Sequence, residues 1–310
     1  MDDAGRLRTV SSPIPGARIQ KALTRRGLPL GSVHALLRGA KIAASPGQYL
    51  RRRGAGGLRA PAALRVDQAR GYGRFGAGAL PGADEALARC RMLYEEARGD
   101  PASGTIAFVR NPKKDFLLSI LSGSDFASHP DLVRFLVSRP LLDAATAYLG
   151  EVPILAAANL WWSPENDGLR YSQLFHRDTE DARQLKLFLL VTDTAEDQGP
   201  LNFLPADASL RVRARAGRRT SLFADETVEQ AGVWERREQL VGPAGSGALV
   251  DTSRCLHFGS RGNRRDRLML AAQFLRFHAP CEATQPFRTP DDVEALDPDP
   301  VQRLALGLGC

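Results

Sequence analysis

The chain has 310 residues, of which 43% are hydrophobic and 25% are charged, as in an ordinary globular protein. These values exclude a fibrous or a wholly disordered protein, and no apolar run approaches the ~18 residues that a transmembrane helix needs. The start of the chain has no apolar stretch of the kind found in secretion signals, and its four cysteines form no CxxC pair. We therefore expect a cytoplasmic protein without disulfide bonds or a zinc ribbon.

Charge is distributed unevenly along the sequence. Residues 1–75 contain 15 of the 42 Lys and Arg but only 3 of the 35 Asp and Glu, a net charge of +12, whereas the remainder carries −5. This basic segment is rich in Gly, Pro and Arg and has little periodicity, apart from a short amphipathic helix over 32–44. We predict an irregular extension that packs on the main domain. A basic arm for an acidic partner or a membrane surface is the alternative.

Residues 76–150 are predicted to form a helical segment that packs on the core. Apolar residues recur at helical spacing over 81–98, where a proline and acidic residues mark the first turn. A second helical pattern covers 130–149, and we expect Pro140 to break or kink it.

The pattern changes over residues 151–280, where short apolar runs alternate with turn residues. This spacing predicts an antiparallel sandwich or barrel, followed by a C-terminal tail over 281–310. The predicted strands lie within 154–162, 171–178, 185–193, 200–205, 247–252, 255–259 and 267–277.

Two short motifs do not indicate a function. The stretch 71–76 spells the GxGxxG of nucleotide-binding loops, but no apolar strand precedes it, so we predict a flexible turn. The stretch 176–178 spells the HRD of protein kinases, but Arg183 stands where a kinase needs an asparagine for magnesium.

Three side chains form the candidate metal site. His176 and Asp178 stand two apart in a predicted strand and therefore project from the same face. His257 follows 81 residues after His176, in another predicted strand. Two histidines and one carboxylate on one face of a divalent ion leave the opposite positions open, which suits non-haem iron(II). An HxD pair in a strand is commonly structural, so this interpretation depends on the residues around His257.

Arg267 follows ten residues after His257, at the start of the next predicted strand. The polar turn between them brings this strand back antiparallel, which places the arginine inside the barrel beside the metal. A buried guanidinium is costly unless it meets an anion. A dicarboxylate cosubstrate is a fitting anion, because the planar fork binds a carboxylate through two hydrogen bonds.

The segments FHRDTEDARQLKLFLLVTDTAEDQGPLNFLPADAS and LHFGSRGNRRDRLMLAAQF resemble the phytanoyl-CoA dioxygenase family of Fe(II)/2-oxoglutarate oxygenases. The resemblance covers about 150–278, roughly two-fifths of the chain. Its motifs follow the family's order: the HxD at His176 and Asp178, the apolar strand 185–193, the acidic turn 196–198, the Gly-Pro-Leu at 199–201, Pro205, and finally His257, a Gly- and Asn-containing turn and Arg267.

The resemblance implies a mainly β fold with helical additions, in which a double-stranded β-helix (jelly roll) core is flanked by N-terminal helices. It implies iron bound by His176, Asp178 and His257, and Arg267 bound to the distal carboxylate of 2-oxoglutarate. Asn159 matches an often polar position that contacts the cosubstrate. Lys186 occupies a cosubstrate-facing position, where lysine is unusual, and a solvent-facing strand lysine is its alternative.

The activity implied is that of an Fe(II)/2-oxoglutarate-dependent dioxygenase, a hydroxylase that consumes O2 and releases succinate and CO2. The scheme requires no catalytic side chain beyond the metal site. Related halogenases lack the metal carboxylate, so the presence of Asp178 favours hydroxylation over halogenation.

The substrate class stays open, because the sequence departs from the family in two places. The usual Pro-Gly-Ser-His is replaced by residues 205–209, and residues 1–75 have no recognisable counterpart. The basic segment favours an anionic small molecule or a metabolite bound to an acidic carrier. Trp161, Trp162 and Tyr171 line a substrate pocket or belong to the core.

Two other classes remain open. One is a cupin-like protein that binds zinc or manganese without oxygenase activity. The other is a non-enzymatic module whose basic arm binds nucleic acid, although its basic residues are not interleaved with aromatic ones and the rest of the chain is net acidic.

Overall fold

A computed structural model describes residues 16–55, 59–99, 108, 114–216, 221–281 and 295–308. Within these residues, eleven strands form two antiparallel sheets. The strands are β1 (Tyr72–Phe75), β2 (Leu118–Ser122), β3 (Ile154–Ser163), β4 (Phe175–His176), β5 (Gln184–Leu190), β6 (Leu201–Phe203), β7 (Leu222–Phe223), β8 (Glu238–Leu240), β9 (Gly247–Val250), β10 (His257–Phe258) and β11 (Arg267–Leu275).

The large sheet has the strand order β1-β9-β5-β11-β3-β2, and the small sheet has the order β7-β4-β10-β6-β8. From β3 to β6, and again from β9 to β11, consecutive strands alternate between the two sheets, as they do in a jelly roll. Phe188, Val250 and Met269 of the large sheet form one apolar cluster with Phe203 of the small sheet, so the two inner faces enclose a common core. The predicted fold class is confirmed.

Helices cover the outer face of the large sheet. They are α4 (Ala83–Arg98), α5 (Pro130–Leu136), α6 (Arg139–Leu149) and α9 (Pro300–Ala305). Leu93 and Leu136 of these helices belong to one buried cluster with Leu270 of β11. The helices predicted over 81–98 and 130–149 are confirmed, and so is the break at Pro140. This proline lies in the first turn of α6, where its missing N–H costs no helical hydrogen bond.

The basic N-terminal segment is helical in its described part, so the prediction of an irregular extension is wrong there. It contains α1 (Gly16–Arg25), α2 (Leu30–Ala44) and α3 (Pro46–Gly54), and only α2 matches a predicted helix. Arg52 of α3 is completely buried and donates hydrogen bonds to the carbonyl oxygens of Val152, Pro153 and Leu304. These partners lie far away in the sequence, so a local composition rich in Gly, Pro and Arg does not reveal the helix.

Residues 72–75 of the stretch 71–76 form the edge strand β1 instead of the predicted flexible turn. It pairs with β9, with Tyr72 opposite Val250. Gly73 is required in this strand, because a Cβ atom at this position would lie 2.2 Å from the carbonyl oxygen of Arg65. The glycine therefore marks a close backbone approach, which is one established use of glycine in a strand.

Two helices on the outer face of the small sheet were not predicted. They are α7 (Ala206–Ala216) and α8 (Asp225–Gln230), and α7 begins where the sequence departs from the family motif. Val212 of α7 and Val228 of α8 pack with Phe175 and Phe258 of the small sheet. Arginines separate the apolar positions of α7, and so the sequence lacks a clear helical stripe. Half of the predicted 281–310 tail is described, namely residues 281 and 295–308, and this part contains α9.

The substitution Arg52→Met removes a guanidinium donor from three carbonyl oxygens, those of Val152, Pro153 and Leu304. We expect the free energy of unfolding to fall by about 2–4 kcal/mol, measured by urea denaturation. Arg53→Met is the matched control, because Arg53 is exposed and adjacent, and it should change stability by less than about 0.5 kcal/mol. Equal stability of the two variants would show that α3 is not a structural part of the domain.

Candidate metal centre

The pairing of two short strands brings the predicted histidines together. His176 on β4 and His257 on β10 are directly opposite each other in the antiparallel register, so both side chains leave the same face of the small sheet. Their ring centroids are 4.2 Å apart. Asp178 completes the group, and the ligand atoms of the three residues all lie within 4.8 Å of one another.

Backbone carbonyl groups orient both imidazole rings. The Nδ1 atom of His176 lies 3.0 Å from the carbonyl oxygen of Leu174, and that of His257 lies 3.1 Å from the carbonyl oxygen of Cys255. A carbonyl only accepts hydrogen bonds, so both Nδ1 atoms carry the proton and both Nε2 atoms keep a free lone pair. Such outer contacts are what fixes the tautomer of metal-binding histidines.

Asp178 follows the end of β4 and is held by its own backbone, whose N–H donates to the carbonyl oxygen of Thr252 at 2.9 Å. One carboxylate oxygen, Oδ2, lies 3.9 Å from Nε2 of His257 and 2.7 Å from Nζ of Lys186. Burial raises the pKa of Asp178, but the nearby ammonium group of Lys186 outweighs this effect, so the pKa lies below its usual range.

The protonation states suit a divalent cation. Burial is the main cause that lowers the pKa of His257, to about 3, with a further contribution from His176. Burial also lowers the pKa of His176. The site therefore presents two neutral imidazoles and one ionised carboxylate, which are the forms that bind a metal ion.

Arg267 is the first residue of β11 and is buried, with 4% of its surface exposed. Its Nη2 atom donates to Oγ of Ser260 at 3.0 Å. Its Nε and Nη1 atoms are also buried and have no hydrogen-bond partner among the described residues. Burial lowers the pKa of Arg267 to about 10, and the group stays charged at neutral pH.

Arg267 lies close to the histidine strand. A Cβ atom at Gly259, two positions beyond His257, would be 3.6 Å from Nη2 of Arg267. Two unpaired donors of one planar guanidinium fork thus lie beside β10, near the metal ligands. This arrangement fits a carboxylate group, which can accept two parallel hydrogen bonds, one from Nη1 and one from the second N–H of Nη2.

Asn159 and Lys186 both lie on the inner face of the large sheet. Asn159 of β3 stands opposite Ala271 of β11, and it shares its face with Trp161, which packs on the inner cluster. Lys186 of β5 shares its face with Phe188, a member of that cluster. Lys186 is therefore not a solvent-facing strand lysine, because only 18% of its side chain is exposed.

The three aromatic residues considered for a substrate pocket lie in different parts of the fold. Trp161 faces the interior of the jelly roll, whereas Trp162 lies on the outer face and donates to Oδ2 of Asp266 at 2.9 Å. Tyr171 is 46% exposed in the segment before β4. Only Trp161 of the three therefore contacts the space between the sheets.

The sequence did not reveal two further residues that shape the site. Ser260 adopts a left-handed backbone (φ 58°) and accepts the hydrogen bond from Arg267. Gln20 of α1 donates from Nε2 to the carbonyl oxygen of Thr179 at 3.0 Å, next to Asp178. Ser260 lies in the Gly- and Asn-containing turn between His257 and Arg267 but is not one of the motif residues, and Gln20 is distant in sequence, so no local signal identifies either.

The residues present fit the groups that the fold implies. Two neutral imidazoles and a carboxylate are a donor set for non-haem iron(II), and the unpaired buried atoms of Arg267 are suited to the far carboxylate of 2-oxoglutarate. The fold and the candidate site are those of jelly-roll proteins that hold a divalent metal ion between two histidines and one carboxylate.

None of the helices in the described ranges is both long enough and apolar enough to cross a bilayer.

The chain is similar to several solved structures. The epimerase SnoN, solved with Fe3+, alpha-ketoglutarate and nogalamycin RO, is 16% identical and has a TM-score of 0.51, over 83% of this chain and 91% of that chain. The carbocyclase SnoK from nogalamycin biosynthesis is 15% identical, with a TM-score of 0.47, over 69% and 83%. EctD from S. alaskensis, with 2-oxoglutarate and 5-hydroxyectoine, is 14% identical, with a TM-score of 0.48, over 71% and 83%. No family model and no curated protein matches the chain. The likeness to SnoN shows a common fold.

The triad geometry predicts one divalent metal ion per chain. We expect Asp178→Asn and His257→Gln each to weaken cobalt(II) binding at least about 100-fold, since each removes a ligand, with binding measured by competition against a chromophoric chelator. His129→Gln is the control, because His129 lies outside the cluster and contacts Arg89. Unchanged affinity in either ligand variant would remove that residue from the metal site.

Proposed function

We propose that the protein is an Fe(II)/2-oxoglutarate-dependent dioxygenase of the phytanoyl-CoA dioxygenase type that hydroxylates a small molecule or a carrier-bound metabolite. The observation that carries this proposal is the buried guanidinium of Arg267, which has two donor atoms without a partner among the described residues and lies against Gly259, two residues after His257. Such a group needs an anion, and 2-oxoglutarate supplies one in the expected place.

In this proposal, His176, Asp178 and His257 hold iron(II), and Arg267 binds the distal carboxylate of the cosubstrate. Bound iron(II) and 2-oxoglutarate supply the oxidising chemistry, in which O2 is consumed and succinate and CO2 are released. Asn159 and Lys186, on the inner face of the large sheet, contact the cosubstrate between these two ends.

The remaining work of the protein is positioning and exclusion of water. Ser260 fixes one end of the Arg267 fork. Phe188, Met269 and Trp161 line the inner face of the large sheet and keep the reaction space apolar. The scheme assigns no acid–base side chain, in agreement with the neutral, carbonyl-bound state of both histidines.

A cupin-like metal protein without oxygenase activity is the second candidate, because two histidines and a carboxylate also suit zinc. The unpaired Arg267 favours the oxygenase, since a site that holds only a metal ion gives no use to a buried cation. A 2-oxoglutarate-dependent absorption band on anaerobic addition of iron(II) separates the two candidates.

The substrate proposal, an anionic or carrier-bound molecule, is supported by helix α1. Arg18, Lys21, Arg25 and Arg26 are exposed on or next to this helix, and no Asp or Glu occurs between residues 4 and 66. The inner side of α1 contacts the segment after Asp178 through Gln20. An acidic carrier protein bound to this basic surface would therefore lie beside the metal centre.

Loss of the metal carboxylate should abolish the reaction. We expect Asp178→Ala to form no succinate from 2-oxoglutarate after anaerobic loading with iron(II), because the ion loses its one anionic ligand. Succinate is quantified after exposure to O2. Undiminished succinate formation would contradict the assignment of Asp178.

Loss of the guanidinium should act on the cosubstrate alone. We expect Arg267→Met to raise the 2-oxoglutarate concentration needed for half-maximal turnover at least about 100-fold, as for a lost bidentate charged contact, while the iron requirement changes less than about threefold. Arg265→Met is the matched control, because Arg265 is exposed and pairs with Asp197 on the surface. Equal effects on both requirements would indicate a folding defect instead.

The carrier proposal predicts a charge-dependent association. We expect a Lys21→Gln, Arg25→Gln, Arg26→Gln variant to bind an acyl carrier protein bearing its phosphopantetheine arm at least about tenfold more weakly, with less salt dependence. A control variant carries the same number of substitutions elsewhere on the surface, at Arg134, Arg211 and Arg215. Equal binding by the two variants would overturn the carrier proposal, and selective loss of binding to anionic vesicles would indicate a membrane surface instead.

A further inference from the structure

Lys186 places a fixed positive charge against the metal carboxylate. Its Nζ atom is 2.7 Å from Oδ2 of Asp178, and the two side chains are only 18% and 15% exposed. The lysine extends from β5, a central strand of the large sheet, where it stands opposite Gln273 on one side and Val250 on the other. Its backbone is therefore fixed by two neighbouring strands.

The same oxygen of Asp178, Oδ2, also faces His257, because it lies 3.9 Å from the Nε2 atom of that histidine. A carboxylate holds a divalent metal ion at about 2 Å, so a bound ion and the ammonium of Lys186 share one counter-ion. The interior between the sheets is apolar, and repulsion between two cations is only weakly screened there. Lys186 therefore opposes the binding of a metal ion that arrives alone.

An anionic ligand reverses this effect. Without a metal ion, the charges of Asp178 and Lys186 cancel, and the two histidines are neutral. A divalent ion adds two positive charges beside them, and Arg267 adds a third that has no carboxylate partner among the described residues. A dicarboxylate cosubstrate compensates this excess, and Lys186 then attracts it.

Other charged groups near Lys186 do not remove the imbalance. Glu180 and Lys114 both lie within electrostatic range of Lys186, and their charges oppose each other. Neither makes an ion pair with Asp178 among the described contacts, where Lys186 and His257 are the groups within 4 Å. The direct contact of Lys186 is thus the one that distinguishes it from the surrounding charges.

We propose that Lys186 couples the two binding events: it weakens metal binding to the free protein and strengthens metal binding in the presence of 2-oxoglutarate. The proposal rests on the proposed function. Its consequence is a protein that retains its metal ion tightly only when the cosubstrate is present. Thermodynamic reciprocity requires that the metal ion and 2-oxoglutarate raise each other's affinity by the same factor.

The test measures cobalt(II) affinity by competition with a chromophoric chelator, with and without saturating 2-oxoglutarate. The ratio of the two affinities is the coupling factor. Chelation contributes to this factor in every variant, so the informative quantity is the difference between wild type and Lys186→Met. We expect Lys186→Met to bind cobalt(II) alone at least tenfold more tightly and to lower the coupling factor at least tenfold.

Controls separate charge from shape. Lys186→Gln should behave as Lys186→Met, and Lys186→Arg should retain most of the coupling because it retains the charge. Lys114→Met removes a nearby lysine that does not contact Asp178, and it should change the coupling factor less than threefold. Thermal unfolding of each variant identifies any that does not fold.

Two results would overturn the proposal: an unchanged coupling factor in both neutral variants, or weaker cobalt(II) binding by both in the absence of 2-oxoglutarate. The second result would mean that Lys186 only positions Asp178. Failure of the proposed function looks different, because wild-type protein would then bind no cobalt(II) or would form no succinate. If the wild-type protein binds cobalt(II) and forms succinate, but the coupling factor does not depend on Lys186, the Lys186 proposal is wrong and the proposed function stands.

Discussion

The candidate centre depends on the pairing of two strands of two residues each. The β4–β10 pair sets His176 directly opposite His257, and without that register the two imidazoles could not share an ion. Short strands hold their register poorly by themselves. Here β7 and β6 continue the sheet on either side, and Phe175 and Phe258 are buried under α7 and α8. The helices on the outside of the small sheet thereby stabilise the candidate metal ligands on its inside.

The two sheets supply different parts of the chemistry. The small sheet and the segment after β4 carry the uncharged imidazoles and the carboxylate, whereas the large sheet carries the cations Lys186 and Arg267 on its inner face. Positive charge inside an apolar enclosure is stable only when it is paired. Asp178 neutralises one cation in the protein itself, and the other is free to recognise an anion. This asymmetry distinguishes the site from a plain metal site.

The N-terminal helices pack on the domain and contact the segment that follows Asp178. Arg52 and Lys41 are buried and donate to carbonyl oxygens of the core and of residues 279 and 280. Gln20 contacts the carbonyl oxygen next to Asp178. Segments that differ in composition are thus packed together, and helix α1 contacts the segment that follows Asp178.

The sequence alone determined the fold class, most of the strands after residue 150, and the identity of the three metal-site candidates and Arg267. The strands depend on alternation and spacing, which are local properties, whereas the jelly roll and the site residues were implied by the order of motifs that resembles a known family. The tertiary structure decided the rest: the helices α1, α3 and α7, the strand at Gly73, the inward position of Lys186 and the bond from Ser260 to Arg267. Each of these depends on contacts between residues far apart in the chain, and no local pattern encodes such contacts.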